Sequence, residues 1–273
     1  MPYRIVQSNQ NIRLKDLRRA LAHPGSGAGS FAGIEGPNLL EEALHAGLRV
    51  PTVFVGQGSE PLLDKLALPA DTEVLLLPKA LLDSALATET PQPVAALVEP
   101  PSWTWADIFT TPANSAPLIV VLAGLQDPGN LGTILRSAEA FGAHAVLSLP
   151  GTVSPWNPNA VRASAGSVFR LPLLAVGVEE CFTRLRQAGV KILTTAVNGA
   201  KPASLAGLAA PIALIIGNEG NGVPEEIASQ ADETITIPCP GPVESLNAAV
   251  AASILLYEAS RQRSNHKPKR SAK

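Results

Sequence analysis

Cysteine is scarce in this sequence, and that scarcity argues against two kinds of architecture. Cys181 and Cys239 are the only two cysteines in 273 residues, and neither has a nearby cysteine or histidine at metal-ligand spacing. A disulfide framework and a structural zinc site both need clusters of such residues. We therefore expect both cysteines to be core or loop thiols.

Long apolar segments are also missing. No uninterrupted apolar run approaches the roughly 20 residues of a membrane span, and residues 1–8 lack the apolar core of a signal peptide. Apolar residues still make up 46% of the chain, which is enough for a sizeable core. We expect a globular, cytoplasmic protein that does not associate with membranes.

Neither sign of charge is in clear excess. The formal net charge is −2, which argues against a protein that coats nucleic acid indiscriminately. Basic residues nevertheless cluster at both ends and could bind phosphates through counterion release. For the end of the chain, a solvated basic tail over 263–273 is the alternative that we favour. The clustered residues are Arg4, Arg13, Lys15, Arg18, Arg19, Arg261, Arg263, Lys267, Lys269, Arg270 and Lys273.

The common nucleotide-binding loops are absent as well. No G-x-G-x-x-G follows the first strand predicted after Pro117, and G-x-x-x-x-G-K-[ST] occurs nowhere. The missing dinucleotide fingerprint disfavours a nicotinamide-binding α/β enzyme.

The first 99 residues have the pattern of a small α/β domain. Leu14, Leu17 and Leu21 recur at helical spacing, and a Gly-rich stretch at 23–30 then predicts a flexible loop. The remaining expected elements are a helix through Leu39–Leu44, strands at Thr52–Val55 and Glu73–Leu77, and a helix over Lys79–Ala87.

A proline-rich stretch separates this domain from the rest. Six prolines between residues 88 and 117 interrupt any regular period except a short Val94–Val98 run, so we expect a linker over 100–116. Trp103 and Trp105 in this linker could stack on a nucleic-acid base. Packing of the linker onto a neighbouring domain is the alternative that we favour.

Residues 117–262 predict a second α/β domain with a parallel sheet. Apolar runs without strict alternation are typical of strands buried on both faces, and helical segments separate these runs. The runs are Leu118–Ala123, Ala145–Leu149, Lys191–Val197, Ile212–Ile216 and Thr234–Ile237, and the helices are expected over 131–141, 159–167, 179–187 and 246–261.

Three unusual loops follow strands of this domain, at 125–132, 217–224 and 237–247. Ligands of parallel sheets bind at the carboxyl ends of the strands, so the loops are candidates for one site. Taken singly, each has a structural explanation. Asn130 and Ser245 could be helix caps, Glu219 could lie in solvent, and Arg136 could project from the outer face of its helix.

Together the loops resemble a known family. Asn130-x-Gly132-x-x-x-Arg136, Gly217-Asn-Glu219-x-x-Gly222 and Ile237-Pro through Ser245-Leu-Asn247 are similar, in the same order, to the three motifs of SpoU-type (TrmH-like) RNA ribose 2′-O-methyltransferases of the SPOUT superfamily. Upstream, Asn11-Ile-Arg13, Phe31–Gly36 and Gln92–Ala96 resemble the substrate-binding domain that often precedes the catalytic one.

The resemblance implies an α/β fold: a parallel sheet with a deep trefoil knot, preceded by a small L30-like α/β domain. It implies S-adenosyl-L-methionine (S-adenosylmethionine) as cofactor, bound by residues of the C-terminal strand ends, and no metal, since the sulfonium is already an activated methyl donor. The cofactor-binding residues would be Thr194, Gly217, Ile237 and Leu246.

The same resemblance assigns the chemistry. Arg136 would deprotonate or orient the ribose hydroxyl. Arg136 and the incoming nucleotide would be held in position by hydrogen bonds from Asn130, Glu219, Ser245 and Asn247. RNA-binding residues would be Arg13, Lys15 and Arg162, although Arg162 could equally form a structural salt bridge.

The function expected from this resemblance is methyl transfer to a ribose 2′-hydroxyl of rRNA of the 23S type, by a homodimer. A tRNA 2′-O-methyltransferase and a catalytically inactive knotted RNA-binding protein in ribosome assembly are the alternatives.

Overall fold

The computed structural model describes residues 3–24, 31–86, 88–112, 115–197 and 200–265. Three sequence predictions lie partly or mostly outside the described residues: the loop at 23–30, the last residue of the helix expected over 79–87, and the basic tail. Within the described residues, no helix is long and apolar enough to cross a membrane.

The elements follow one another along the chain as strands and helices of mixed length. Up to residue 109 the chain contains β1 (Arg4–Ile5), α1 (Ile12–Ala22), β2 (Ala32–Glu35), α2 (Pro37–His45), β3 (Thr52–Gly56), β4 (Glu73–Leu77), α3 (Lys79–Asp83), β5 (Val94–Val98) and α4 (Trp105–Phe109). The rest of the chain contains β6 (Leu118–Ala123), α5 (Pro128–Ala140), β7 (Ala145–Ser148), α6 (Pro158–Ser164), α7 (Ser167–Arg170), β8 (Leu173–Ala175), α8 (Val178–Gln187), β9 (Lys191–Thr195), β10 (Lys201–Pro202), β11 (Ile212–Gly217), α9 (Glu225–Ala228), β12 (Glu233–Thr236) and α10 (Ala248–Asn265).

The chain divides into two compact units. One comprises Met1–Ser102 and Ser154–Arg170, and the other comprises Trp103–Val153 and Leu171–Lys273. In the first unit, a five-stranded sheet has the order β1-β4-β3-β5-β2, and β5 runs antiparallel to both its neighbours. Its core contains Leu14 and Leu17 of α1 packed with Phe54, Leu75 and Leu97 of the sheet. The predicted small α/β domain is confirmed.

Strand β2 was not expected, because the sequence around Phe31–Gly36 has no clear strand period. It forms because it pairs antiparallel with β5. Gly33 allows α1 to lie directly against this strand, since a Cβ there would come within 2.8 Å of the Leu21 side chain. Gly36 then turns the chain with a φ of 101°, a conformation that favours glycine, and α2 begins at Pro37.

The segment Ser154–Arg170 belongs to the first unit although the chain on either side of it belongs to the second. Arg170 forms an ion pair with Glu42 of α2 at 2.5 Å. The single helix expected here is divided into α6 and α7 because Ala165 and Gly166 both have positive φ, 48° and 88°. A left-handed pair of residues cannot continue a right-handed helix.

In the second unit, seven strands have the order β10-β12-β9-β11-β6-β7-β8, and every pair is parallel. This confirms the predicted parallel α/β sheet. Strands β8 and β10 have only three and two residues, too few to give a sequence period. The trefoil knot stays a prediction.

Part of the proline-rich linker is helical and belongs to the second unit. Thr104 and Asp107 form a capping box at the start of α4, and hydrogen bonds from Thr104 lower the pKa of the Asp107 carboxyl. Ile108 is fully buried in the core of this unit. Trp105 packs against the same core and donates from Nε1 to Glu180 at 2.7 Å, in line with the packing alternative favoured for it.

Candidate active site

A cavity of about 440 Å³ lies at the carboxyl ends of β9, β11 and β12. This is the edge of a parallel sheet at which ligands are expected, and the volume is in the usual range for small-molecule sites. The loop after β11, the loop after β12 and the first turns of α10 complete its walls. The lining comprises Thr195, Ala196, Val197, Ile216 to Val223, Ile235, Thr236, Ile237, Cys239, Ser245, Leu246, Ala248, Ala251 and Leu255.

Three of the four expected cofactor-binding residues line this cavity: Gly217, Ile237 and Leu246. Thr194 does not. It is 2% exposed within β9, and its hydroxyl has no hydrogen-bond partner among the described residues. Its neighbour Thr195 lines the cavity instead, because successive residues of a strand point to opposite faces.

Gly217 is required by the close return of the following loop. A Cβ on Gly217 would lie 2.1 Å from the carbonyl carbon of Gly222, far inside any tolerated contact. Asn218 and Gly222 form an isolated antiparallel bridge, with N–H···O distances of 2.8 and 2.9 Å. The loop is therefore a closed turn whose backbone borders the cavity.

Side chains from all three motif loops meet in one hydrogen-bonded chain. Asn247 Nδ2 donates to Asn130 Oδ1 at 3.0 Å, and Asn130 Nδ2 donates to Glu219 Oε1 at 3.1 Å. The direction follows from chemistry, because a carboxylate only accepts and so must face the NH₂ of Asn130. The structure thus brings together Asn130, Glu219 and Asn247, while Ser245 lies in the cavity wall.

Glu219 also holds the backbone of the first loop. Its carboxylate accepts from Gln126 N at 3.3 Å and from Asp127 N at 3.1 Å. Burial alone would raise the pKa of Glu219, but these bonds, together with those from Asn130 and its own N–H, lower it below the ordinary value. Glu219 is therefore an ionised anchor, with its acceptor positions occupied by donors of the protein.

The helix caps differ from the two that were considered as alternatives from the sequence. Asp127, rather than Asn130, caps α5 by accepting from Asn130 N at 2.6 Å. Asn247, rather than Ser245, caps α10: its Oδ1 accepts from Ala249 N at 2.9 Å and from Val250 N at 3.2 Å. The last helix accordingly begins at Ala248, two residues later than expected.

Arg136 lies on the exposed side of α5, six residues after Asn130. Among the described residues it has no hydrogen bond or ion pair, in contrast to Asn130 and Glu219. Six residues of helix span about 9 Å along the axis. Its guanidinium is therefore free to bind a group that the chain itself does not supply.

Two family models cover most of the sequence. The SpoU rRNA Methylase family matches residues 117–257, and the RNA 2′-O ribose methyltransferase substrate-binding family matches residues 34–104. The chain belongs to the SpoU family of RNA 2′-O-ribose methyltransferases. The family inferred from the three motifs is thus confirmed, as is the enzyme class.

Several relatives resemble this SpoU protein over nearly their full length. The 23S rRNA (guanosine(2553)-2′-O)-methyltransferase RlmP of Bacillus subtilis is 32% identical, over 92% of this chain and 97% of its own. The SpoU methyltransferase AviRb from Streptomyces viridochromogenes, solved with the cofactor AdoMet, is 30% identical with a TM-score of 0.80, covering 93% and 98% of the two chains.

The AdoMet-bound rRNA methyltransferase from Sinorhizobium meliloti is also 30% identical, with a TM-score of 0.81 and coverage of 95% and 98%. Since two such relatives were crystallised with S-adenosylmethionine, the predicted cofactor is confirmed. In the part of the SpoU chain that the structure describes, no group of three His, Cys, Asp or Glu side chains could hold a metal ion.

The expected RNA-binding residues lie in the first unit, with different surroundings. Arg13 pairs with Glu73 at 3.3 Å, whereas Lys15 is exposed and has no ion pair among the described residues. Arg162 lies 3.9 Å from the buried carboxylate of Glu35 and also bonds Asn159. The salt-bridge alternative for Arg162 is therefore present in the structure, and its role in RNA binding stays a prediction.

Sequence reasoning about the SpoU motifs missed two residues that organise the site. Asp127 supplies the α5 cap. Asn218 hydrogen-bonds the backbone of its own loop and also that of the loop after β6, where its Nδ2 donates to Gly124 O at 2.9 Å. Both stand inside the quoted loops, Asp127 three positions before Asn130 and Asn218 between Gly217 and Glu219. The only sequence signal was their type, since Asn and Asp side chains commonly bond to nearby backbone in turns.

Proposed function

We propose that this protein transfers the methyl group of S-adenosylmethionine to a ribose 2′-hydroxyl of 23S-type rRNA, the RNA of the large ribosomal subunit. The observation that carries the proposal is the convergence of three motif loops on one cavity through the Asn247–Asn130–Glu219 chain. The full-length likeness to RlmP, named for a 23S rRNA nucleotide, supports rRNA rather than tRNA. A cytoplasmic location follows for an enzyme of this substrate.

The cavity residues fit the cofactor. Gly217, Gly220 and Gly222 border the cavity without side chains, so a ligand can approach their main-chain N–H and C=O groups closely. Ile237 and Leu246 supply apolar surface beside these groups. When bound, S-adenosylmethionine supplies a sulfonium-activated methyl group.

The chain's own residues then have to orient and activate the hydroxyl. A ribose hydroxyl is a weak nucleophile at neutral pH, so alignment and removal of its proton are the main demands. Arg136 is the exposed cation available to bind the nucleotide's phosphate and orient the hydroxyl. A guanidinium holds its proton firmly at neutral pH and is a reluctant base, so we assign Arg136 orientation first.

Arg136 provides the direct test. The Arg136→Ala and Arg136→Lys proteins should lose about 100-fold or more of the methyl-transfer rate, because a lysine cannot reproduce the planar fork of donors. The measurement is labelled methyl transfer to purified rRNA and tRNA, followed by digestion and mass spectrometry of 2′-O-methylnucleosides. Arg184→Ala is the control for loss of an exposed arginine outside the site, on α8, where the guanidinium lies 5.9 Å from the centroid of the Trp105 ring.

Three outcomes would contradict the proposal. Wild-type protein that methylates neither RNA would overturn methyl transfer as its activity. Preference for tRNA would overturn the substrate, and an Arg136→Ala protein as active as Arg184→Ala would overturn the role of Arg136.

We further propose a homodimer that forms through α10. Val250, Ile254 and Tyr257 are 47%, 40% and 56% exposed and recur at helical spacing, so they form one apolar stripe along the helix. The opposite face of α10 is buried in the unit and comprises Ala249, Ala252, Leu255, Leu256 and Ala259. A second copy of the stripe is the simplest apolar surface that could cover it.

A further inference from the structure

Asn218 makes more contacts than a turn residue needs. Its Oδ1 accepts from Gly220 N at 2.9 Å and from Asn221 N at 3.3 Å, which closes the loop that borders the cavity. Its Nδ2 donates to Gly124 O at 2.9 Å, across to the residue that follows β6. The oxygen and the nitrogen of one carboxamide thus bind backbone groups of two different loops.

The next residue, Glu219, binds the same opposite loop a few positions further on, at Gln126, Asp127 and Asn130. Two consecutive side chains therefore hold the loop at two separate points. One point would fix a distance, while two also fix the orientation of the loop. Gly124 itself has a φ of 72°, so its carbonyl direction depends on an unusual backbone conformation that this contact supports.

We propose that Asn218 is a positioning residue for methyl transfer. It keeps Glu219, and through it Asn130 and Asn247, in register with the cofactor cavity, of which the Asn218 loop forms one wall. At neutral pH, no other side chain of similar size can both accept from Gly220 N and donate to Gly124 O. An aspartate would place a second oxygen against the Gly124 carbonyl, and a serine is too short to reach both.

The first test is the isosteric Asn218→Asp variant, with Asn38→Asp on the exposed face of α2 as control for the same chemical change. We expect kcat to fall roughly 10- to 100-fold, with an unchanged KM for RNA and a melting temperature close to that of the control. Lower pH should restore part of the activity, because a protonated aspartic acid again offers a donor to Gly124 O.

The second test asks whether Asn218 acts through Glu219. If it does, Asn218→Asp combined with Glu219→Ala should be no slower than Glu219→Ala alone, within about threefold. Should Asn218→Asp fail to fold, Asn218→Ala takes its place in the same cycle. Independent, multiplying losses in the double variant would overturn the proposal, as would an Asn218→Asp protein with wild-type kcat or with a loss explained by lower stability.

This inference rests on the proposed methyl transfer, and the experiment separates the two. Wild-type protein without transfer overturns the function, whereas active wild type beside an equally active Asn218→Asp protein overturns only the role of Asn218. Calorimetric titration with S-adenosylmethionine gives a readout that needs no RNA. It should show binding to wild type and weaker binding to Asn218→Asp, and equal affinities would count against the proposal.

Discussion

At Asn247, the two ends of one carboxamide have different partners. Oδ1 accepts from the first free N–H groups of α10, and Nδ2 donates to Asn130 in the neighbouring loop. The motif resemblance assigned Asn247 a positioning role in methyl transfer. The structure adds a cap, so the two contributions have to be separated by substitutions that remove one end at a time.

Asn247→Ala should therefore lower both activity and the free energy of unfolding, the latter by about 1 kcal/mol for the lost cap. Asn247→Asp keeps an acceptor for Ala249 N and Val250 N but loses the donor to Asn130. It should fold with near wild-type stability and still transfer methyl groups at least roughly tenfold more slowly. Urea unfolding beside single-turnover rates checks both, and an Asn247→Asp enzyme at full speed would refute the role of the contact.

Which site residues could be predicted from sequence depended on whether the motif resemblance assigned them a role. Gly217, Asn130, Glu219 and Asn247 were selected through a motif resemblance, and the structure brings the last three into contact. Asn218 was passed over, because sequence does not tell whether an asparagine in a turn bonds only its own turn or also a carbonyl 94 positions away. A polar contact between residues far apart in the chain leaves no periodic pattern in the sequence.

Among the helices and strands, those with a strong periodic pattern of apolar residues could be predicted from the sequence. The long apolar strands β6 and β11 and helices α1 and α8 were expected close to where they form. Elements specified by a partner instead of a pattern were missed: β2 depends on pairing with β5, and α4 is one short turn whose signal is its capping box. The division of α6 from α7 depends on backbone conformation at Ala165.

The start of β6 depends on a neutral histidine. His144 Nδ1 accepts from Leu118 N at 3.0 Å, and Nε2 lies 3.1 Å from Ser115 Oγ. Burial, and then the charge of Arg263, lower the pKa of His144 below 6.5. The unfolded chain therefore binds this proton more readily, so the stabilisation is complete above about pH 6.5 and is lost as the pH falls through the folded-state pKa.

His144→Asn retains an acceptor near the Nδ1 position without a titrating ring. The free energy of unfolding of wild type should fall more steeply than that of His144→Asn between pH 7.5 and about pH 5. Carboxylates titrate alike in both proteins, so the difference between the two urea-unfolding curves isolates the histidine. Parallel pH dependences would show that protonation of His144 does not act on folding.

For the whole molecule, the site loops all belong to the second unit, while Arg13, Lys15 and Arg162 belong to the first. Family matches follow a similar division, with the catalytic match at 117–257 and the substrate-binding match at 34–104. Inclusion of Ser154–Arg170 in the first unit had no sequence signal, because it depends on contacts between residues far apart in the chain, such as the Arg170–Glu42 ion pair. Such pairing is set by the tertiary fold.

The proposed dimer gives a prediction at this scale. Ile254→Asp places a charge in the middle of the α10 stripe, where burial against a second copy would be strongly unfavourable. Sedimentation velocity at micromolar concentration should find wild type as a dimer and Ile254→Asp as a monomer of normal secondary structure. Leu205→Asp is the matched control, since Leu205 is an apolar residue 69% exposed outside the stripe.

If Leu205→Asp dissociates the dimer equally, the change of charge rather than the stripe is responsible. If Ile254→Asp stays dimeric, the two copies meet elsewhere. Methyl transfer by the monomeric variant then decides whether the dimer matters to the chemistry. The network of Asn247, Asn130 and Glu219 is complete within one chain, so S-adenosylmethionine affinity in the monomer should change less than the transfer rate.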